Sequence, residues 1–356
     1  MHRLKITFAV MFAAIFFCIG CASENATKAE MIPQENYRPE TSQVPRQELI
    51  VYSSPEKYSY EDFLHDVNIL RDRYPSQIRV DKLCDTLDGR GVYDIVLGDP
   101  NGENQILIFG AMHAREYITT QVVMRQLCES LDALNGGGTY RGIPVAELLQ
   151  GLTIHFVPNS NPDGVAISQF GLSALKNDSV RNRVAAMNDG DLEQWKANAN
   201  GVDLNRNFDA DWAEFYGSPA PSSDRYKGTS PGSEPESAAL IRLTRDCHIK
   251  RAISYHTCGA VVYWYYKQSG QVLDESKKFA ADISAATNYY LDDDYTALDP
   301  AGYKDWAVYK LGIPSITIEI GGENGDIVNP VPQSRFNGIW ERNKNVVYAT
   351  AYNLKF

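Results

Sequence analysis

The sequence contains no cluster of Lys and Arg, and its acidic residues outnumber its basic ones. With 34 basic and 45 acidic residues, the formal net charge at pH 7 is -11. Because binding to nucleic acid depends on basic side chains that neutralise phosphates, we expect no nucleic-acid partner. The chain also lacks an internal repeat, and its 44% hydrophobic residues indicate a packed globule rather than a disordered chain.

Cysteines are scarce as well. Beyond the N-terminal segment four remain, namely Cys84, Cys128, Cys247 and Cys258. An exported chain permits disulfides, but four cysteines allow three pairings, so the sequence does not predict which of them form.

Long apolar runs are absent except at the N-terminus, where a run too short for a reliable membrane span follows a basic start. Together with Ile19-Gly20-Cys21 it resembles the signal and lipobox of bacterial lipoproteins, although Cys18 replaces the usual Leu. Residues 1–20 are therefore predicted to be a lipoprotein signal peptide. A lipid on Cys21 would make this an exported bacterial protein anchored to a membrane, in the periplasm or at the cell surface. The alternative is a plain signal peptide with an incidental Cys21.

Residues 21–55 are polar and contain several prolines, which predicts a flexible linker, and residues 56–356 form the predicted catalytic domain. A helix is expected to begin after Ser59, with Asp62 completing its cap, and to end before Pro75. Strand-like segments and one further helix follow, at 78–83, 92–97, 106–109, 119–134 (the helix) and 152–157. This alternation predicts an α/β fold: a single three-layer domain with a central mixed, mostly parallel twisted sheet flanked by helices.

A His and a Glu three positions apart follow the buried strand at 106–109. His113 and Glu116 can lie side by side on one helical turn, and ligands of α/β sheets bind beyond the carboxyl ends of strands. Catalytic zinc takes three protein ligands of this kind and leaves a position for water. Because an isolated HxxE pattern is common by chance, a third ligand is required.

The best candidate for that ligand is His256, which ends the short strand-like segment 251–255. The other histidines fit less well, because they lie in the signal segment, on a polar helix face, within a strand or before a strand. They are expected to be structural or solvated: His2, His65, His155 and His248.

The chain resembles the zinc carboxypeptidases of the funnelin type from Tyr58 to Phe356. Six motifs occur in the order of that family, and together they are specific although each alone is weak. They are the HxxE with its intervening Arg115, Asn161-Pro162-Asp163-Gly164, the run from Gly201 to Phe208, Ser233-Glu234-Pro235-Glu236, the strand-terminal His256, and Thr317-Ile318-Glu319. No pro-segment of the kind found in this family is visible, so we do not expect a zymogen.

The resemblance implies one zinc ion per chain, held by His113, Glu116 and His256. It implies that Glu319 is the general base, which takes a proton from water and passes it to the leaving amine; a carboxylate in an apolar strand would otherwise be costly. The resemblance also implies a peptide substrate with a free C-terminal carboxylate. Arg206 would bind this carboxylate as a planar fork, beside Asn205.

Two positions depart from the family pattern. Lys196 stands where related enzymes place an Arg that stabilises the oxyanion, and it offers a charge but no planar fork. Arg181 or Arg183 could replace it if the insertion at 165–195 folds back over the site. The mobile Tyr of the family is assigned to Tyr295, with Tyr303 as the competing candidate.

Substrate preference is predicted from Lys304, which aligns with the base of the family's specificity pocket and favours an anionic side chain. The surrounding motifs look most like the bacterial branch that cuts γ-D-glutamyl-diamino acid bonds in murein, where diaminopimelate supplies a second carboxylate. Arg115 is a further predicted substrate contact. The alternatives are an exported carboxypeptidase that removes acidic C-terminal residues, and a wall-peptide-binding lipoprotein without turnover. A monomer is expected.

Overall fold

The structure is a computed structural model that describes residues 45–356 except 189, 297 and 324. The predicted signal peptide, the lipid site at Cys21 and most of the predicted linker lie outside these residues. In the described part, no helix combines the length and the apolar character needed to cross a bilayer. The four cysteines after Cys21 are all free thiols, so none of the permitted disulfides forms among the described residues.

Ten strands and ten α-helices occur along the described chain. The strands are β1 Ile78–Asp85, β2 Gly91–Gly98, β3 Asn104–Phe109, β4 Thr139–Tyr140, β5 Ile143–Pro144, β6 Leu152–Val157, β7 Ile249–Gly259, β8 Val261–Tyr263, β9 Tyr290–Leu291 and β10 Ser315–Gly321. The helices are α1 Tyr60–Arg73, α2 Ile118–Gly136, α3 Val145–Leu149, α4 Pro162–Phe170, α5 Asp178–Met187, α6 Pro235–Asp246, α7 Gly270–Thr287, α8 Tyr303–Lys310, α9 Phe336–Asn343 and α10 Val346–Lys355.

Eight strands form one sheet in the order β1-β2-β6-β3-β7-β10-β8-β9, and β4 pairs only with β5. The four central strands β6, β3, β7 and β10 are parallel. The pairs β1–β2, β2–β6 and β10–β8 are antiparallel, and β9 pairs parallel with β8. The predicted mixed, mostly parallel sheet is therefore confirmed. Most residues of its central strands are buried, because helices cover both faces.

Alternate residues of β3 serve two different cores. Ile106 and Ile108 pack with α1, α2, α7 and α9, whereas Leu107 and Phe109 pack with α6 and α8 on the opposite face. This alternation is the period of two expected for a strand buried on both sides. The three predicted layers follow from it.

The polar side chains inside the sheet are paired. His155 lies in the middle of β6, where its ring nitrogens contact Asp94 Oδ2 and Gln105 Oε1, each at 2.7 Å. Burial of a polar group is tolerated when it is hydrogen-bonded in this way. The prediction that His155 is structural agrees with these contacts.

The first helix agrees with the sequence prediction, but the predicted linker ends too late. Ser59 and Asp62 form a reciprocal capping box at the start of α1. Upstream, Leu49 and Val51 are buried in the core, and 3-10 turns run over Arg46–Glu48 and Ile50–Ser53. The packed domain therefore begins by about residue 46 rather than at 56.

Asp66 of α1 holds this N-terminal segment on the domain. Its fully buried carboxylate accepts hydrogen bonds from the backbone amides of Ile50 and Val51 and from the Tyr58 hydroxyl, each at 2.8 Å. Three donors, two of them in fully buried contacts, would lose this partner if the carboxylate were removed.

We expect Asp66→Ala to lower the free energy of unfolding by about 3 kcal/mol or more, because unsatisfied buried donors cost ~1–3 kcal/mol each. Denaturant unfolding measures the change. Asp72→Ala is the control, because Asp72 is exposed and, among the described residues, its ion pair is with its neighbour Arg71, so about 0.5 kcal/mol or less is expected. Equal stabilities for the two variants would show that Asp66 does not anchor the segment.

Candidate metal centre and substrate cavity

The turn after β3 carries the HxxE pattern in a constrained conformation. Ala111 has a positive φ of 53°, which non-glycine residues adopt rarely. Its amide donates to Thr119 Oγ1 at 2.7 Å, and that hydroxyl donates to the Glu116 carbonyl at 2.7 Å. These bonds tie the turn to the first turn of α2 and direct His113 and Glu116 to the same side.

His256 and Glu319 reach the same place from the two neighbouring strands. His256 lies near the end of β7, which is adjacent to β3 in the sheet, and Glu319 lies directly opposite it in the register of β10. Since the central strands are parallel, their carboxyl ends meet at one edge. The strand order therefore brings the predicted third ligand and the predicted base to the turn.

The donor atoms of His113, Glu116 and His256 converge. His113 Nδ1 lies 2.9 Å from Glu116 Oε1, His256 Nδ1 lies 2.9 Å from Glu116 Oε2, and the two Nδ1 atoms are 3.0 Å apart. All three side chains are buried, and they are the group in the described chain that could hold a metal.

This donor set fits zinc. Bonds of about 2.1 Å in tetrahedral geometry place neighbouring ligand atoms a little over 3 Å apart, close to the spacings observed. Two imidazole nitrogens and one carboxylate are also the ligand types of catalytic zinc sites, which leave one position open. The metal ligands predicted from the sequence are thus brought together.

Asp203 orients the first ligand. Its Oδ1 lies 3.1 Å from His113 Nε2, so the ring can donate there and present Nδ1 to a metal, as outer carboxylates do for zinc-bound histidines. The Asp203 carboxylate is fully buried, which would raise its pKa, but Lys196 and His113 outweigh burial and hold that pKa well below its usual range. We did not predict this role, although the position of Asp203 in the Gly201–Phe208 motif was a signal for it.

Lys196 lies next to this carboxylate but is already paired. Its ammonium is 3.0 Å from Asp203 Oδ2 and 3.1 Å from Asp224 Oδ1. Burial would lower the pKa of Lys196, but the two carboxylates raise it above its ordinary value. Lys196 is therefore a charged group beside the metal ligands, and its predicted role at an oxyanion requires it to leave one of these partners.

The other two candidates for that role are placed elsewhere. Arg181 donates to the carbonyls of Leu172 and Leu175 and pairs with Asp178, and Arg183 donates to Asn200. The suggestion that either arginine replaces Lys196 is not supported by these contacts.

The insertion supports the site through packing. Helices α4 and α5 form a small core with Trp195 and Ala114, and Ala114 belongs to the HxxE turn. Arg115 of the same turn donates to the Gln194 carbonyl at 3.3 Å, so this predicted substrate contact faces the insertion rather than the cavity described below.

Side chains from two of the sequence motifs stabilise the loops around the metal ligands. Asn161 donates to the carbonyls of Met112 and Ala197, at 3.0 and 3.2 Å, and so joins the HxxE turn to the loop that carries Lys196. Glu234 accepts a hydrogen bond from Asn198 at 2.9 Å, which fixes the start of the same loop. Neither side chain reaches the metal ligands directly.

Glu319 has the environment expected of a general base. Its Oε2 is buried and has no hydrogen-bond partner among the described residues. Burial, followed by the nearby Glu116 carboxylate, raises the pKa of Glu319 to about 7, against the opposing effects of His256 and Lys196. A carboxyl group with a pKa near the working pH can both accept and return a proton.

Glu319 lines a cavity of about 360 Å³, which we call the substrate cavity. Asn205 and Arg206 lie in its wall, and their backbone forms a 3-10 turn after Asp203. Asn205 Oδ1 accepts from the Tyr303 amide at 3.0 Å, so its side-chain amide remains available as a donor. The other lining residues are Tyr263, Tyr265, Tyr266, Asp292, Asp294, Leu298, Asp299, Gly302, Lys304, Asp305 and Thr317.

Both cations of the substrate cavity already contact carboxylates of the chain. Arg206 pairs with Asp299, and Lys304 pairs with Asp305 while donating to the Tyr265 carbonyl at 3.0 Å. Lys304 therefore lines the cavity as predicted, but its charge is partly compensated, which the sequence interpretation did not anticipate.

The two tyrosine candidates differ in position. Tyr303 is fully buried, and its hydroxyl is 2.9 Å from Thr244 Oγ1, so it cannot enter the site as a mobile group and that alternative is wrong. Tyr295 is 44% exposed. Its ring packs edge-on against the ring of Tyr265, which lines the cavity, and the two ring centroids are 4.8 Å apart. Tyr295 thus remains at the rim.

The residues between 63 and 346 match the family model of the zinc carboxypeptidases, peptidase family M14. The chain belongs to the zinc carboxypeptidase family. It is 31% identical over 301 residues to γ-D-glutamyl-L-diamino acid endopeptidase 1 of Lysinibacillus sphaericus, covering 83% of this chain and 73% of the relative. Membership and the His-Glu-His site together make it a zinc metallopeptidase and confirm the predicted cofactor.

Solved structures agree on the fold. Thrombin-activatable fibrinolysis inhibitor superimposes with a TM-score of 0.69 at 22% identity, over 87% of this chain and 77% of that one. Carboxypeptidase A from Helicoverpa armigera does so with a TM-score of 0.65 at 18% identity, over 86% and 78%. These identities bear on architecture and not on substrate.

We expect Asp203→Asn to weaken zinc binding about 10- to 100-fold, because an amide holds the His113 ring less firmly than a carboxylate does. Competition with a chromogenic chelator measures the affinity. Asp224→Asn is the matched control, since Asp224 contacts Lys196 but not His113, and it should leave the affinity unchanged. An equal loss in both variants would indicate an effect of Lys196 rather than of His113 orientation.

Proposed function

We propose that this protein is a zinc-dependent carboxypeptidase that hydrolyses the C-terminal peptide bond of a small murein peptide ending in diaminopimelate. The observation that carries the proposal is the sharing of one cavity by Glu319, Asn205 and Arg206. The cavity thus combines a proton-transfer group with a guanidinium that can bind a carboxylate. This combination suits a substrate whose chain end lies next to the bond to be cut.

Arg206 binds the terminal carboxylate of the substrate, and Asn205 donates a further hydrogen bond. Arg206 must release Asp299 to do so, which is feasible because the Asp299 side chain is 55% exposed and can be hydrated. The exchange replaces one carboxylate by another. Binding of the terminal carboxylate by Arg206 and Asn205 thus selects a chain end over an internal segment of peptide.

Zinc held by His113, Glu116 and His256 supplies Lewis-acid chemistry that makes water nucleophilic near neutral pH. Glu319 accepts the proton of that water at Oε2 and returns it to the leaving amine. Because Oε2 is buried and has no hydrogen-bond partner among the described residues, none of their donors has to be displaced first. Lys196 contributes positive charge beside the reacting carbonyl.

The substrate is proposed from the relative and from the cavity together. The relative from Lysinibacillus sphaericus is named for cleavage at γ-D-glutamyl-L-diamino acid bonds. Lys304 in the wall of the cavity can meet the second carboxylate of diaminopimelate. Murein peptides lie outside the cytoplasm, which agrees with the proposed export of the chain as a lipoprotein attached through Cys21.

We expect Glu319→Gln to lower kcat by about 10³-fold or more, because the amide cannot accept the proton of water. Zinc content should stay at one ion per chain, since Glu319 is not a metal ligand. Glu341→Gln is the control, because Glu341 is exposed on α9, and it should retain full activity. Activity of the Glu319 variant within a few-fold of the parent would remove Glu319 from the mechanism.

The zinc-loaded protein should release diaminopimelate from L-Ala-γ-D-Glu-meso-diaminopimelate, as detected by mass analysis of the products, and a chelator should stop the reaction reversibly. A panel of α-linked peptides with different last residues is run in parallel. Cleavage confined to α-linked peptides with acidic ends would favour the exported carboxypeptidase instead. Bound zinc and bound peptide without any cleavage would favour the non-catalytic lipoprotein.

A further inference from the structure

The substrate cavity contains both signs of charge. Five carboxylates and two cations line it, so a side chain that carries only negative charge would enter a cavity with an excess of the same sign. Lys304 alone therefore does not explain what the cavity accepts, and the remaining carboxylates have to be accounted for one by one.

Three of these carboxylates have evident tasks. Asp299 pairs with Arg206, Glu319 faces the metal ligands, and Asp305 binds both Lys304 and the amide of Gly302 at the start of α8. Asp294 lies in a turn, where it accepts hydrogen bonds from Thr296. Asp292 is left.

Asp292 forms no ion pair with any residue that the structure describes, and its carboxylate makes a single long contact of 3.5 Å with the Asp294 amide. Its backbone is nevertheless fixed, because its amide donates to the Val262 carbonyl at 3.1 Å and its carbonyl accepts from the Trp264 indole at 2.9 Å. An anionic side chain is thus held in the wall of the cavity by the edge of the sheet, without a cation of its own.

Lys304 is complementary to it. An ammonium has three N–H donors, and two of them go to the Tyr265 carbonyl and to Asp305. The third is available to a ligand. The Lys304 side chain is only 13% exposed, so a hydrogen bond made there is little weakened by competing water.

On the basis of the proposed function, we infer that Asp292 and Lys304 form a subsite with one negative and one positive side chain, which we call the two-sign subsite. It recognises the far end of the substrate's terminal side chain. Asp292 binds an ammonium and Lys304 binds a carboxylate, so the preferred terminal residue is a diamino dicarboxylic acid whose side chain ends in both groups. Lysine, which lacks the far carboxylate, leaves the third donor of Lys304 unused, and 2-aminopimelate, which lacks the far ammonium, leaves Asp292 without a substrate cation. Asp292 and Lys304 are specificity-determining residues and not catalytic ones.

The expected discrimination follows from the cost of an unpaired charged group in a cavity. A site built to hydrogen-bond a substrate group rejects the analogue that lacks it, because its own polar group is then left unsatisfied. We expect kcat/KM for the diaminopimelate peptide to exceed that for each analogue by about 10-fold or more.

The test uses three peptides, L-Ala-γ-D-Glu-X, in which X is meso-diaminopimelate, L-2-aminopimelate or L-lysine, with the zinc-loaded protein and two variants. Asp292→Asn should abolish the preference for diaminopimelate over 2-aminopimelate and keep the preference over lysine. Lys304→Met should do the reverse. Because each result is a ratio of kcat/KM values on one preparation, a partly unfolded variant does not distort it.

Asp293→Asn is the matched control, since Asp293 is exposed, accepts from the Tyr290 hydroxyl and does not line the cavity. It should leave both ratios unchanged. Flat ratios in the parent protein, or ratios that neither variant alters, would overturn the two-sign subsite while leaving the proposed hydrolysis intact.

Absence of hydrolysis of all three peptides would instead contradict the proposed function. The same three residues are then placed at the end of an α-linked peptide, and the same pattern of ratios is required. If that series is not cleaved either, calorimetric binding of free meso-diaminopimelate, 2-aminopimelate and lysine to the zinc-loaded protein decides. Equal affinities for the three would overturn the subsite.

Discussion

The site depends on the burial of one carboxylate, that of Glu116, between two imidazole rings. A carboxylate removed from water is costly unless positive charge and hydrogen bonds replace its hydration. The Thr257 amide supplies one bond at 3.2 Å, but His113 and His256 present their Nδ1 atoms to each other at 3.0 Å, and two protonated rings would repel at that distance. A divalent cation among the three side chains would satisfy all of them at once, at the place where the paired strands β3 and β7 end.

The same electrostatic requirement extends outward through the surrounding residues. Asp203 holds the His113 ring, Lys196 pairs with Asp203, and Asp224 pairs with Lys196, so Asp203 and Lys196 each have a neighbour of opposite sign. Asn161 connects the loops that carry these groups. The position of a metal ligand is therefore set by loops far apart in the chain, and the insertion contributes by packing against Ala114 rather than by placing a charge at the site.

Much of this could be predicted from the sequence, because the ligands lie at the ends of strands whose apolar pattern is strong. His113, Glu116, His256 and Glu319 follow from that pattern and from the resemblance, and the structure brings them together. Local patterns could not predict the N-terminal segment, because its packing rests on two apolar residues and on the buried carboxylate of Asp66, which gave no periodic signal. The charge of the substrate cavity was equally hidden: Asp292 and Asp299 belong to loops, and which side chains those loops bring near Lys304 and Arg206 is decided by tertiary packing.

The central claim is that one metal ion joins the three buried ligands beside Glu319. Anomalous diffraction at the zinc absorption edge, from crystals of the protein as isolated, tests it most directly. The account predicts a single strong peak about 2.1 Å from Nδ1 of His113, Nδ1 of His256 and the carboxylate of Glu116, with Glu319 outside bonding distance. A peak at any other group of residues, or none at this one in an active preparation, would contradict it.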